Sequence, residues 1–161
     1  MTALPVPSSR SAGPAANLSE DLITLTIAGH QFGIPVLQVQ DVLGPQRVTR
    51  VPLAPPEVGG SLNLRGRIVT AIDVRLRLGL PARPGDKPGM SIVVELYGEL
   101  YSLMVDEVGE VLSLSPDDFE RTPKTLDGRW RELSSGIYRL NGALLIVLEV
   151  DRLLASLTAV A

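Results

Sequence analysis

Residues 25–43, LTIAGHQFGIPVLQVQDVL, and residues 94–112, VELYGELYSLMVDEVGEVL, decide how this chain is read, because the second stretch repeats the first at an offset of 69. Gly29 falls on Gly98, Val36 on Val105, Val39 on Val108, Asp41 on Glu110, Val42 on Val111 and Leu43 on Leu112. A second pair, LRGRIVTAIDVRLRL at 64–78 and LNGALLIVLEVDRLL at 140–154, matches at an offset of 76. It brings Leu64 onto Leu140, Gly66 onto Gly142, Asp73 onto Glu149, Val74 onto Val150 and Leu78 onto Leu154. Chance similarity between two runs of apolar alternation is the rival account. Turn glycines, valine spacing and a closing acidic residue nevertheless recur in one order, which marks an internal repeat. The offsets differ by seven, so a seven-residue insertion falls between Leu112 and Gly136, where SPDDFERTPKTLDGRWRE reads as a long loop.

Outward from the repeat, LITLTI alternates Ile23, Leu25 and Ile27 against Leu22, Thr24 and Thr26, the period of a strand with one face on a core. Gly29 and His30 are expected to turn the chain back. In VLQVQDVL, Val36, Val39, Val42 and Leu43 fit a short helix or a twisted strand equally well. VPLAPPEVGG, with Pro52, Pro55 and Pro56, lacks backbone donors and reads as a connector. Two short runs then flank Arg65 and Gly66, DVRLRLG suits a brief helix stopped by Gly79, and residues 81–89 read as a linker. The second half keeps this order: a strand at 90–97, a turn at Gly98-Glu99, a strand at 100–105, a hairpin about Asn141-Gly142, whose residues suit a type I′ turn, and a helical turn in DRLLASL. The expected fold is mainly β: two small barrels of about five short strands with short helices, in halves of about 22–80 and 88–157, behind a flexible tail of residues 1–20.

Composition narrows the function. Apolar residues make up 45% and charged residues 20%, enough to form a core. Cysteine is absent, which rules out disulfides and thiolate metal sites and suits a cytoplasmic address. A net charge of −3 offers no bulk attraction to nucleic acid or to anionic lipid, which points to protein partners. The longest apolar run, 143–150, is interrupted by Glu149 and far short of the roughly 20 residues of a membrane span, so no membrane insertion is expected. His30 is the single histidine, so neither a His metal cluster nor a nucleophile and base pair can be assembled, and no cofactor is expected. Asp117 and Asp118 fit a helix start better than an acid and base pair. Arg65, Arg67, Arg75, Arg77 and Arg83 form a basic cluster without interleaved aromatics, which argues against single-strand nucleic-acid binding.

Laid out this way, the chain resembles the CheW family of chemotaxis coupling proteins from about Leu22 to Leu157. The stretches that carry the resemblance are FGIPVLQVQDVL, VTRVPLAPPEVGGSLNLRG, RIVTAIDVRLRLG and LMVDEVGEVL, with NLRG, IDVR and VDEVGEVL in that order. The resemblance implies two SH3-like subdomains and an adaptor without enzymatic activity. Its partners would be the cytoplasmic tips of chemoreceptors and the CheA-type histidine kinase, whose regulatory domain shares the fold. It also implies a cytoplasmic location at receptor arrays on the inner membrane. No receiver segment accompanies the domain, which argues against the related CheV type. Thr70 stands where the family commonly has Pro, Asp41 where it often has Glu, and Ser102 where Gly is common. These departures leave open which receptors and kinase are served, and whether the pathway is flagellar or a non-flagellar chemosensory one.

The same resemblance selects the candidate coupling residues. Arg65, between Asn63 and Gly66 in NLRG, is the one most tied to coupling, with Asp41 as its acidic partner; an ordinary solvated turn arginine is the bland alternative. Arginine offers a rigid fork of donors suited to carboxylates and carbonyls, and a neighbouring glycine lets another backbone approach. Val39, Met90 and Val111 would line an apolar groove for a receptor helix, with plain core packing equally open for the two valines.

Overall fold

The structure is a computed structural model that describes residues 20–81 and 89–158. Residues 1–19 of the expected tail and most of the expected linker lie outside the described residues. Glu20, assigned to the tail from sequence, instead opens the first strand.

Strand β1 (Glu20–Ile27) turns into β2 (His30–Pro35), and β3 (Val39–Leu43) follows a 3-10 turn at Val36–Gln38, so the ambiguous VLQVQDVL is a helical turn and then a strand. Next come β4 (Val58–Leu64), β5 (Arg67–Asp73) and helix α1 (Val74–Arg77). The second half supplies β6 (Met90–Leu96), β7 (Glu99–Val105), β8 (Glu107–Leu114), the two-residue β9 (Phe119–Glu120), α2 (Gly128–Leu133), β10 (Ser134–Leu140), β11 (Ala143–Leu148) and α3 (Val150–Thr158). Asp73 caps α1 by accepting from the Leu76 amide, and Gly79, at φ 79°, follows its end.

Four hairpins turn on Ala28-Gly29, Arg65-Gly66, Tyr97-Gly98 and Asn141-Gly142, with positive φ at both residues of each pair. A type I′ turn needs two consecutive positive φ values, and the glycine takes the second. The turns therefore sit one residue earlier than Gly29-His30 and Gly98-Glu99, and His30 and Glu99 open strands. Two further expectations change. Val58, Gly59 and Gly60 belong to β4 rather than to the connector. The segment expected as a long loop after β8 contains β9 and α2, whose Trp130 and Leu133 are buried.

The sheets do not follow the halves. One has the order β8-β1-β2-β11-β10-β9 and the other β3-β6-β7-β5-β4, so each takes strands from both halves. Pro35 has no amide hydrogen to extend the ladder, and the 3-10 turn after it redirects the chain, so β3 pairs with β6 of the second half. In return, β8 pairs with β1. Each sheet takes at least two strands from each half, and the first sheet has six strands instead of five. Under the two offsets, β1, β2, β8, β11 and β10 correspond to β6, β7, β3, β5 and β4, so the two sheets share one strand order. The fold is mainly β, with two SH3-like subdomains and short helices.

One large core lies between the sheets and under the helices, built by Ile27, Phe32, Ile72, Ile92, Leu103, Ile146 and Trp130 among others. Each sheet also encloses a smaller cluster: Leu22, Tyr138, Leu145 and Val147 in the first, and Leu62, Val69 and Ala71 in the second. Among the described residues no helix is long and apolar enough to cross a membrane.

Candidate functional site

Four of the expected residues meet at one end of the second sheet. The Asn63 side-chain oxygen accepts from the Gly66 amide at 3.0 Å and braces the β4–β5 turn, with Arg65 at φ 52°. Arg65 Nη2 donates to Asp41 Oδ2 at 2.9 Å, while Asp41 Oδ1 accepts from the Val42 amide at 2.9 Å. Strands β3 and β4 are the two outer strands of this sheet, so the ion pair spans from one edge to the turn beside the other and shows that the sheet curls back on itself. The Arg65 side chain is 75% exposed and that of Asp41 28%. An exposed pair of this kind contributes only about 0 to 1 kcal/mol to stability. It presents an oriented guanidinium with donors still free for a partner.

The apolar candidates are less unified. Val39, paired with Val94, is half-buried against the main core, and so is Met90 at the start of β6. Val111 lies in the other sheet, on the outer strand β8, where it is 52% exposed. Strands β6 and β8 touch, so the two sheets meet there.

The most strongly bonded charged group lies elsewhere. Arg75 of α1 donates from Nε to Asp106 Oδ1 at 3.0 Å and from Nη2 to Oδ2 at 2.7 Å, and the same Oδ2 accepts from the Ala28 amide at 2.8 Å. The two side chains are 12% and 18% exposed. The bond to Asp106 holds the guanidinium above its ordinary pKa. This node ties α1, the β1–β2 turn and the end of β7. Sequence reasoning placed Arg75 in a basic cluster and missed Asp106, because nothing local joins residues 31 positions apart. Arg77 donates to the carbonyls of Leu153 and Arg152 at 2.8 and 3.2 Å and so joins α1 to α3. Of the five clustered arginines, Arg83 lies outside the described residues, and Arg65, Arg75 and Arg77 have separate internal partners.

Residues set aside from sequence have packing roles. The His30 ring meets Trp130 edge-on at 4.9 Å, and Trp130 Nε1 donates to the Leu78 carbonyl at 2.8 Å. Asp117 and Asp118 sit in a 3-10 turn capped by Ser115, as a helix start requires. Among the described residues no group of three or more His, Asp or Glu side chains is placed to hold a metal ion.

The model of the CheW-like domain family matches residues 21–158. The chemotaxis protein CheW of Klebsiella aerogenes is 29% identical over 139 residues, covering 86% of this chain and 84% of that protein. The CheW of Helicobacter pylori is 30% identical over 147 residues, covering 89% and 88%. Among solved structures, the scaffolding protein TtCheW of Thermoanaerobacter tengcongensis superposes with a TM-score of 0.76 at 27% identity, over 84% of this chain and 92% of that one. The family match takes in both sheets, all three helices and the Arg65–Asp41 pair, and the chain belongs to the family of CheW-like domains.

Proposed function

We propose that this chain is a non-catalytic adaptor that couples the cytoplasmic tips of chemoreceptors to a CheA-type histidine kinase in chemotaxis signalling, working in the cytoplasm at receptor arrays on the inner membrane. The observation that carries this reading is the exposed Arg65–Asp41 pair at the braced β4–β5 turn, in a chain whose fold matches that of a scaffolding protein. A bond that adds little stability yet fixes a guanidinium at the surface is suited to recognition. Arg65, Gly66, Asn63 and Asp41 form the polar part of the coupling surface, and Val39, Met90 and Val111 its apolar part. Several weak contacts made at once suffice, because tethering raises effective concentration without new contacts.

The test is reconstitution of the full chain with CheA-type kinases and receptor signalling fragments, following kinase autophosphorylation. Receptor-dependent control is expected only when the chain is present, and Arg65→Asp is expected to lose that control while keeping its circular dichroism spectrum. Wild-type control by Arg65→Asp would remove the coupling role from this pair. The kinase that responds identifies the pathway, flagellar or otherwise.

A further inference from the structure

Divided between α1 and β6, the chain gives two halves, neither of which builds a sheet alone. In the first sheet, β1 and β2 of the first half join β8 and β11 of the second, through pairs such as Asp21↔Ser113 and Phe32↔Ile146. In the second sheet, β6 and β7 of the second half join β3 and β5 of the first, as in Ile92↔Val42 and Leu103↔Ile72. Each sheet is therefore the leading hairpin of one half set between later strands of the other. The polar ties run the same way: Arg75 to Asp106, Arg77 to the Leu153 carbonyl and Trp130 to the Leu78 carbonyl all cross from half to half. So does the main core, where Phe32 and Ile72 pack among Ile92, Leu103 and Ile146. None of these ladders and ties involves the connection from α1 to β6.

We propose that the first half of one copy also takes up the second half of another, giving a strand-exchanged dimer whose partner is a second copy of this chain. Each unit of that dimer keeps every cross-half ladder, ion pair and core contact of the single chain. The two forms differ only in the routing of the connection and in the cost of bringing two chains together. A first half without its partner has open edges on β1, β2, β3 and β5, and the second half of any copy covers them equally well. The connection holds a chain's own second half at an effective concentration on the order of 1 mM. Exchange therefore competes with closure when chains fold at about that concentration, and the dimer persists on dilution because its release requires both sheets to open. The dimer carries two Arg65–Asp41 turns. That this makes it a bivalent adaptor rests on the function proposed above; the exchange itself does not.

The chain has no cysteine, so single cysteines report the exchange without background. Asp21 and Ser113 belong to different halves and face each other across β1 and β8, with Ser113 Oγ donating to Asp21 Oδ1 at 2.6 Å. Full-length Asp21→Cys and full-length Ser113→Cys are unfolded together in urea, refolded under reducing conditions at about 1 mM, diluted to about 1 μM and oxidised. The disulfide joining the two variants is expected to exceed either same-variant disulfide at least about tenfold, since only an exchanged dimer makes the two thiols cross-strand neighbours. That excess should vanish when the refolding itself is done at about 1 μM. Thr26→Cys mixed with Gln31→Cys is the control: these residues pair across β1 and β2 within one half, so exchange leaves them in one chain and no excess of the mixed disulfide is expected. Disulfides in statistical proportion at every refolding concentration overturn the proposal. An equal excess in the control overturns it too, because it marks surface association without exchange. If Asp21→Cys or Ser113→Cys fails to fold, Thr26→Cys with Glu107→Cys carries the same test across β1 and β8. No receptor or kinase is present, so failure here leaves the adaptor reading standing, and failure of that reading leaves the exchange standing.

Discussion

The two sheets are built on one plan and sealed in different ways. Both have a ladder irregularity at the same corresponding place, between Val58 and Gly60 in β4 and between Ser134 and Gly136 in β10. Beside it the first sheet is covered by a true strand, β9, through Ile137↔Glu120 and Tyr138↔Phe119. At the matching edge of the second sheet there is a single bridge, with Thr49 and Ser61 exchanging two backbone bonds of 2.8 Å. At the turns, Arg65 and Asp41 of the second sheet correspond to Asn141 and Glu110 of the first. The first sheet, with its large interior residues and strand-covered edge, is the closed member. The second has the lighter edge cover and the charged turn.

The largest effect expected from breaking this comparison is at the covered edges. Gly60 has φ 145°, and a Cβ there would overlap the Thr49 carbonyl, so Gly60→Ala is expected to cost about 3 kcal/mol in urea unfolding. Gly136→Ala meets the ring of Phe119, which is 38% exposed and can swing aside, and the Glu120 carbonyl, which cannot. Its cost should be smaller, and equal losses at the two glycines would show that the edges are sealed alike.

Next in size is the joint between the sheets. Asp106→Ala removes the two carboxylate oxygens that accept from Arg75, one of which also accepts from the Ala28 amide, and leaves Arg75 only the Pro81 carbonyl, for an expected loss of about 2 kcal/mol, measured by the same unfolding experiment. An unchanged midpoint would mean that apolar packing alone holds the sheets together.

The interior of the first sheet should show itself at high pH. Burial, and then the carboxylate of Glu20, hold the Tyr138 hydroxyl above its ordinary value of 10.0. The folded state therefore favours the neutral phenol. The stability it contributes is fully present below about pH 10 and is lost as the pH rises through the folded value. Tyr138→Phe is expected to flatten the fall in melting temperature above pH 10 and to cost about 1 kcal/mol at neutral pH. If the fall persists undiminished, its source lies outside Tyr138, and Tyr101 of the second sheet, whose pKa burial also raises, is the next substitution to measure.

The smallest effect on stability is expected where the functional effect is largest. Asp41→Asn should move the unfolding free energy by no more than about 1 kcal/mol, since the Arg65 pair is exposed. A loss of 3 kcal/mol or more would make the pair a structural clasp of the second sheet, and the coupling role would have to be sought elsewhere on it.

Much of the fold was legible in the chain because its signals are local. The period of two in LITLTI, the glycine of each hairpin and the Gly79 stop each act within a few residues, although both faces of β1 are buried rather than one, and the repeat at offsets of 69 and 76 put the strands of the two halves in correspondence. Asn63, Arg65 and Gly66 stood together in one turn, so they were found together. The small helix around Trp130 was read as loop because its apolar residues, Trp130 and Leu133, are too few to show a period.

By itself the sequence determined most of the strands, their turns to within a residue, the internal repeat and the residues at the charged turn. Only the tertiary structure decided that β1 and β2 join β8 and β11 of the second half while β6 and β7 join β3 and β5 of the first, and that Arg75 finds Asp106. The physical reason is the same in each case. Strand pairing, buried ion pairs and interior filling depend on which distant segment arrives alongside, and that choice is made by the whole chain competing for partners rather than by any neighbourhood within it.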